Sequence, residues 1–242
     1  METCKTRGII TRRADYGESN CMLTILTENL GVISACAYGV RSRRSKMKAG
    51  TQLLCCGDFV LSRKNSEIYR VDAVEIVDAF YPVCEDIVKL SLANYLCELS
   101  REMYGDGDER ILTLLLNTLY ALAYKDENPV LAKAVFEVKL AQYAGYEPCM
   151  DSCIGCGEKE DLSAFDFSGG VKCSSCRESA DINISDGVYR SIRYILEAEE
   201  RKIFSFTVSE EIKKDLSLLA EGYILNKSER TYKSLDYFKK ML

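Results

Sequence analysis

"CMLTILTENLGVISACAY", residues 21–38, decides how the amino-terminal third folds. Two runs rich in β-branched and apolar residues, "CMLTILT" and "VISACAY", flank the loop "TENLG", residues 27–31. Such side chains suit a pleated, half-buried surface. Gly31 supplies the left-handed backbone position that a short hairpin loop uses. "TRGII" precedes this hairpin, and "LLCCGDFVLS" and "IYRVDAVEIV" follow it. Gly, Asn, Asp and charged residues separate the runs, as expected between strands. Five strands in about 80 residues predict a small barrel, most commonly an OB-fold. A β-sandwich ranks second because it ordinarily needs more strands. The β module is expected over residues 1–81.

After "FYPV" the period changes. Val88, Leu92, Leu96, Leu99 and Met103 recur at helical spacing. "GDGD", residues 105–108, predicts a break, and residues 109–125 a second, leucine-rich helix. Asn128 suits an N-cap and Pro129 the first helical position of a third helix, which runs to about Tyr143 with Gly145 as its stop. Residues Ser185–Glu200 are again helical. Ile212, Leu216, Leu219 and Tyr223 form a last stripe with Ser209 as its cap. The expected fold class is therefore α+β and multi-domain. An N-terminal OB-fold β-barrel precedes an α-helical domain at 82–242, with a cysteine-bearing insertion at 149–180.

The longest apolar run, Ile111–Tyr124, is interrupted by Thr113, Asn117 and Thr118 and is too short to span a bilayer. The first residues, "METCKTRGIITRRADYGES", hold no signal-peptide apolar stretch. A cytoplasmic protein is expected, without a membrane partner, and there free thiols are the default state. Net charge is −5, which argues against a wholly basic nucleic-acid binder. The charge is nevertheless uneven: 12 Lys and Arg against 9 Asp and Glu in residues 1–81, and 20 against 28 in residues 82–242. The cationic excess lies at the front.

"CIGCGEKEDLSAFDFSGGVKCSSC", residues 153–176, places Cys153, Cys156, Cys173 and Cys176 as two C-x₂-C pairs. This is the four-thiolate zinc pattern. A two-residue gap lets one tight turn aim both sulfurs at a single ion, and two such turns complete a tetrahedron with Zn–S near 2.3 Å. Gly157 favours the first turn, and Gly169 and Gly170 let the chain double back. Phe165 and Phe167 suit a short strand between the turns. A thioredoxin-like redox pair would use one C-x₂-C in a βαβ setting, and iron–sulfur runs have other spacings. Four thiolates close the shell, so one structural zinc per chain is expected rather than a catalytic one. Cys149 is either a spare ligand or a small residue packing near the site. The remaining Cys4, Cys21, Cys36, Cys55, Cys56, Cys84 and Cys97 are expected in the core.

"GVRSRRSKMKAG", residues 39–50, carries Arg41, Arg43, Arg44, Lys46 and Lys48 and no acid. Such a barrel loop can neutralise several phosphates, with Arg12 and Arg13 extending the patch. A solvated loop without a ligand is the plainer reading of the same charges. Tyr16, Tyr38, Phe59 and Tyr69 are candidate stacking platforms or core residues. The chain has no histidine, which excludes Ser–His–Asp and Cys–His machinery, and no phosphate-loop motif. "GDGDE" reads as an exposed turn. A non-enzyme without a small-molecule substrate is expected. A metal-dependent nuclease using clustered carboxylates is a weaker alternative.

"DYGESNCMLTILTENLGVISACAYGVRSRRS" (15–45), "GYEPCMDSCIGCG" (145–157), "FDFSGGVKCSSC" (165–176) and "YKSLDYF" (232–238) resemble, in order, the RecO family of bacterial recombination mediators. The resemblance implies an N-terminal OB-fold, a helical C-terminal domain and a four-cysteine zinc finger. It further implies binding of single- and double-stranded DNA, annealing of complementary strands, and work with RecR and single-strand-binding protein to load RecA at the bacterial nucleoid. The alternative is a zinc-stabilised protein-interaction adaptor with incidental DNA contact.

Overall fold

The computed structural model describes residues 2–64, 67–104 and 108–242. Five strands open the chain: β1 (Glu2–Tyr16), β2 (Asn20–Thr27), β3 (Gly31–Ala37), β4 (Cys56–Arg63) and β5 (Tyr69–Asp78). They pair in the ring β1-β2-β3-β5-β4 and back to β1, an OB-like barrel. The seam is thin: β3 and β5 run parallel and share only Ala35↔Tyr69 and Cys36↔Arg70. β1 serves two neighbours. Its first half pairs with β4 and its second with β2, and a bulge between Ile10 and Arg12 bends it from one to the other.

Alternation along β2 and β3 turns Cys21, Leu23, Ile25, Ile33, Ala35 and Ala37 inward, where they meet Ile10, Phe59, Leu61 and Val71. The small Cys and Ala side chains suit a narrow interior. Gly8 faces Gly57 across β1 and β4. A Cβ at Gly8 would lie 2.7 Å from the Leu26 carbonyl oxygen, and one at Gly57 2.6 Å from that of Glu75. Glycine is thus required where the strands crowd at the corner. The hairpin turn forms as expected, with Gly31 at φ 68°.

Helices α1 (Tyr81–Glu85) and α2 (Ile87–Met103) follow. The Asp86 carboxylate accepts from the Val88 and Lys89 amides and starts α2. Arg101 of α2 donates to the Thr11 carbonyl of β1 at 2.6 Å, so helix and barrel belong to one compact unit, residues 1–115. The change of sequence character at 81/82 precedes this division. The break expected at 105–108 falls at residues 105–107 outside the described residues.

Residues 116–242 form the second unit. Helix α3 (Arg110–Tyr124) leads into it, followed by α4 (Pro129–Tyr143), strands β6 (Leu162–Asp166), β7 (Gly170–Cys173) and β8 (Ile182–Asn183), and helices α5 (Asp186–Glu197), α6 (Glu210–Ser228) and α7 (Lys233–Met241). Asn128, Ser185 and Ser209 cap α4, α5 and α6 through their side-chain oxygens. Residues 131–141 of α4 are all buried, including Lys133, Glu137 and Lys139. The Lys139 ammonium donates to the carbonyls of Ile195, Leu196 and Ala198, closing the C-terminal end of α5.

One expectation about thiols is corrected. Cys21, Cys36, Cys55, Cys56 and Cys97 are buried, but Cys84 is exposed and Cys4 only half-buried. Cys84 lies on α1, a five-residue helix that buries only Val83.

Candidate metal centre and cationic barrel face

The two C-x₂-C turns are built by backbone bonds. The Cys153 amide donates to the Glu158 carbonyl at 2.7 Å, and the Gly157 amide returns to the Cys153 carbonyl at 2.8 Å. The Cys176 amide closes the second turn on the Cys173 carbonyl at 3.1 Å. Ile154 N–H then bonds the Val171 carbonyl at 2.9 Å and draws the first turn beside β7. Gly170, at φ 142°, passes so close to Cys149 that any Cβ would overlap the Cys149 backbone.

The result brings together all four cysteines named from spacing. The Sγ atoms of Cys153, Cys156, Cys173 and Cys176 lie within 4.8 Å of one another. Cys156 and Cys173 Sγ are 3.7 Å apart. Four sulfurs each about 2.3 Å from one central ion would lie roughly 3.8 Å apart, so the donors fit a tetrahedral dication. Backbone N–H groups, that of Cys173 foremost, lower the Cys153 thiol to about 6. The Cys156 thiol, then Cys153 and Cys173, push Cys176 up to about 12. Four crowded thiols cannot all ionise without a cation among them. The cluster can hold a metal ion.

Cys149 takes neither role considered for it. Its sulfur is exposed, donates to the Ser152 carbonyl at 3.5 Å and stands outside the cluster. The cysteine hairpin docks on α6 through aromatic edges. The Phe165 ring lies 5.5 Å from that of Tyr223 and 6.0 Å from that of Phe167. Lys227 adds a bond to the Ser168 carbonyl at 2.6 Å, and the Tyr189 hydroxyl of α5 donates to the Met150 carbonyl at 2.8 Å. Beside the cluster, Lys172 is buried among Asp166 and Asp181, at 2.7 and 3.2 Å.

The basic run lies in the β3–β4 connection, a chain of turns rather than a free loop. Ser42 and Ser45 amides bond the Gly39 and Ser42 carbonyls, and the Thr51 hydroxyl bonds the Met47 carbonyl at 2.9 Å. Val40 and Met47 pack on the barrel core and pin the connection. Arg43, Arg44, Lys46 and Lys48 are exposed and, among the described residues, form no ion pair. Arg12, on β1, is likewise exposed and unpaired among the described residues. Arg13 and Arg41 differ: both reach the Asp15 carboxylate, at 3.3 and 3.2 Å. Of the aromatic candidates, Phe59 and Tyr69 belong to the core, whereas Tyr16 and Tyr38 are about half exposed.

The family described as Recombination protein O N terminal matches residues 1–80, and Recombination protein O C terminal matches residues 84–236. The chain belongs to the RecO family. Among its relatives, the DNA repair protein RecO of Acetivibrio thermocellus is 34% identical over 245 residues, covering 99% of this chain and 97% of that protein. Those of Caldicellulosiruptor saccharolyticus and Alkaliphilus metalliredigens are each 32% identical, over 99% and 98% of this chain.

Two features of this RecO-family chain escape sequence reasoning. The Arg70 guanidinium carbon lies over the Tyr38 ring, 5.6 Å from its centre. Only the β3–β5 pairing brings them together. A cavity of about 420 Å³ opens in the helical unit between Val130, Leu218, Phe238 and Leu242, rimmed by Lys213 and Lys214. No described helix is long and apolar enough to cross a membrane.

Proposed function

We infer that this RecO-family DNA repair protein is a recombination mediator rather than an enzyme. In this reading it binds single- and double-stranded DNA, anneals complementary strands, and helps load RecA onto DNA coated by single-strand-binding protein, with RecR as a partner, in the cytoplasm at the nucleoid. The exposed cations Arg43, Arg44, Lys46 and Lys48 carry the reading, because no carboxylate among the described residues neutralises them. Such a run replaces condensed counterions on a phosphate backbone and leaves base edges free to find a complement. Arg12 extends it, and Arg13 and Arg41 join it where Asp15 releases them.

The resident metal in this reading is one structural zinc held by Cys153, Cys156, Cys173 and Cys176. Four thiolates leave no open position for water, so its contribution is to fasten the hairpin that docks on α6. The apolar cavity of the helical unit favours a second role, docking of a partner protein, and keeps the adaptor reading alive for that half of the chain.

Annealing of complementary oligonucleotides by purified protein alone separates the two. A mediator accelerates annealing, and the Arg43→Ala/Arg44→Ala/Lys46→Ala/Lys48→Ala variant loses that acceleration. An adaptor with incidental DNA contact leaves the annealing rate at its spontaneous value. Cleavage of the DNA in magnesium or manganese would instead indicate a nuclease.

A further inference from the structure

The cysteine hairpin carries a buried charge beside its sulfur cluster. Lys172 of β7 directly precedes Cys173. It pairs with Ala164 of β6, and Ala164 pairs in turn with Asn183 of β8. Alternation along β7 sends the Lys172 side chain to the sheet face opposite that of Val171 and Cys173. The small Ala164 side chain leaves room there for its stem. Continued by one residue, the β6–β8 register sets Asp166 across from Asp181 on this same face. The Lys172 ammonium lies 2.7 Å from Asp166 and 3.2 Å from Asp181. Little of this group meets water: the Lys172 side chain is 9% exposed and that of Asp181 4%.

Each carboxylate also closes a turn. Asp166 accepts from the Ser168 amide at 2.7 Å in the β6–β7 turn. Asp181 accepts from the Glu178 amide at 2.7 Å, and the Asp181 amide returns to the Glu178 carbonyl at 3.2 Å. This second turn lies in the segment that leads from Cys176 to β8. One cation thus ties the strand that bears Cys173, the central strand and the turn behind Cys176. Its hydrogen bond to Asp166, chiefly, holds that carboxyl down at about 2. β8 is only two residues long and meets β6 at two register pairs, so the ion pairs form a large part of its attachment. Without the cation, two carboxylates would face each other across neighbouring strands and largely out of water, an unfavourable arrangement.

We propose that Lys172 is a positioning residue for the metal centre. Its ion pairs with Asp166 and Asp181 keep the Cys173–Cys176 turn in the shape the ion requires, and so set how tightly the ion is held. Lys172 acts through the two carboxylates and is not itself a ligand. Groups that orient metal ligands from outside the coordination shell ordinarily change affinity by about 10–100-fold. This rests on the zinc reading above and adds what fixes the second pair of sulfurs, which the C-x₂-C spacing alone does not provide.

The test is titration of the zinc-loaded full chain with a chromophoric chelator, alongside absorption spectra of the cobalt-exchanged protein. Lys172→Met is expected to bind one zinc per chain about 10–100-fold more weakly than the unaltered protein. Its cobalt form, at saturation, keeps the thiolate-to-cobalt charge-transfer intensity, because all four sulfurs remain. Lys172→Met/Asp166→Asn/Asp181→Asn strands no carboxylate and regains much of the affinity. Asp181→Asn keeps the cation and its Asp166 partner, and gives a smaller loss. An unchanged zinc affinity in Lys172→Met, or in Asp181→Asn where Lys172→Met does not fold, overturns the proposal even if thermal unfolding comes earlier. The ion pairs would then only brace the hairpin, and the zinc reading would stand. Unaltered protein that takes up no zinc overturns that reading, and this proposal with it.

Discussion

Lys133 carries its ammonium into the interior of the helical unit, where it meets Glu137 and Glu221, each at 3.0 Å, and the Ser217 carbonyl at 3.2 Å. A charge so placed is tolerated because partners surround it; withdrawing one partner strands the others. Lys133→Met is expected to lower stability by about 3–5 kcal/mol, seen as an earlier thermal transition, and Lys133→Met/Glu137→Leu to recover much of that loss. An unchanged transition in the single variant would contradict the buried network. Thiols give a second residue-scale expectation. Burial pushes Cys55 up to about 11 and Cys97 up to about 12, so neither offers much thiolate at neutral pH. Alkylation of the native protein followed by mass spectrometry should label exposed Cys149 first and leave Cys55, Cys56 and Cys97 unmodified. As pH rises toward 11, Cys55 should gain reactivity as its thiolate fills.

Among the elements, the cysteine hairpin joins local spacing to tertiary docking. The C-x₂-C turns were readable because each closes within five residues, and spacing alone named the four cysteines whose sulfurs the fold brings together. Its seat was not readable: the contact of Phe165 with Tyr223 joins residues 58 positions apart by numbering. Cys153→Ser or Cys176→Ser should lower bound zinc well below one per chain by elemental analysis and expose residues 149–180 to protease. Stoichiometric zinc in either variant would refute a four-thiolate site. The helix starts behave differently. Asn128 accepts the Val130 amide at 3.0 Å and the Leu131 amide at 3.3 Å, and Asn128→Ala should cost about 1 kcal/mol in thermal or denaturant unfolding. The basic run was legible as charge but not as structure, since its anchors Val40 and Met47 are ordinary apolar residues until the barrel core receives them.

For the whole molecule, the net charge of −5 conceals the cationic barrel face. Four phosphate contacts on a single strand predict a slope of about −3 for log affinity against log salt. The four-alanine variant should flatten that slope strongly, leaving only the smaller contribution of Arg12, Arg13 and Arg41. A slope unchanged by those substitutions would place the DNA contacts elsewhere. The overall acidity does not oppose this, because exposed charges farther apart than the screening length of about 10 Å at 0.1 M salt hardly feel one another.

Sequence by itself determined the features that neighbouring residues write together: the hairpin at Gly31, the caps Asn128, Ser185 and Ser209, the strand-to-helix order and the two C-x₂-C turns of the four-cysteine cluster. Each depends on backbone geometry over a few residues, and residue type there is nearly sufficient. Tertiary structure alone decided which tyrosines face solvent, that Asp15 sits between Arg13 and Arg41, that Arg70 backs Tyr38, and that Lys133 is buried. Those outcomes follow from which strand or helix arrives from far along the chain, and composition and period carry no record of that partner.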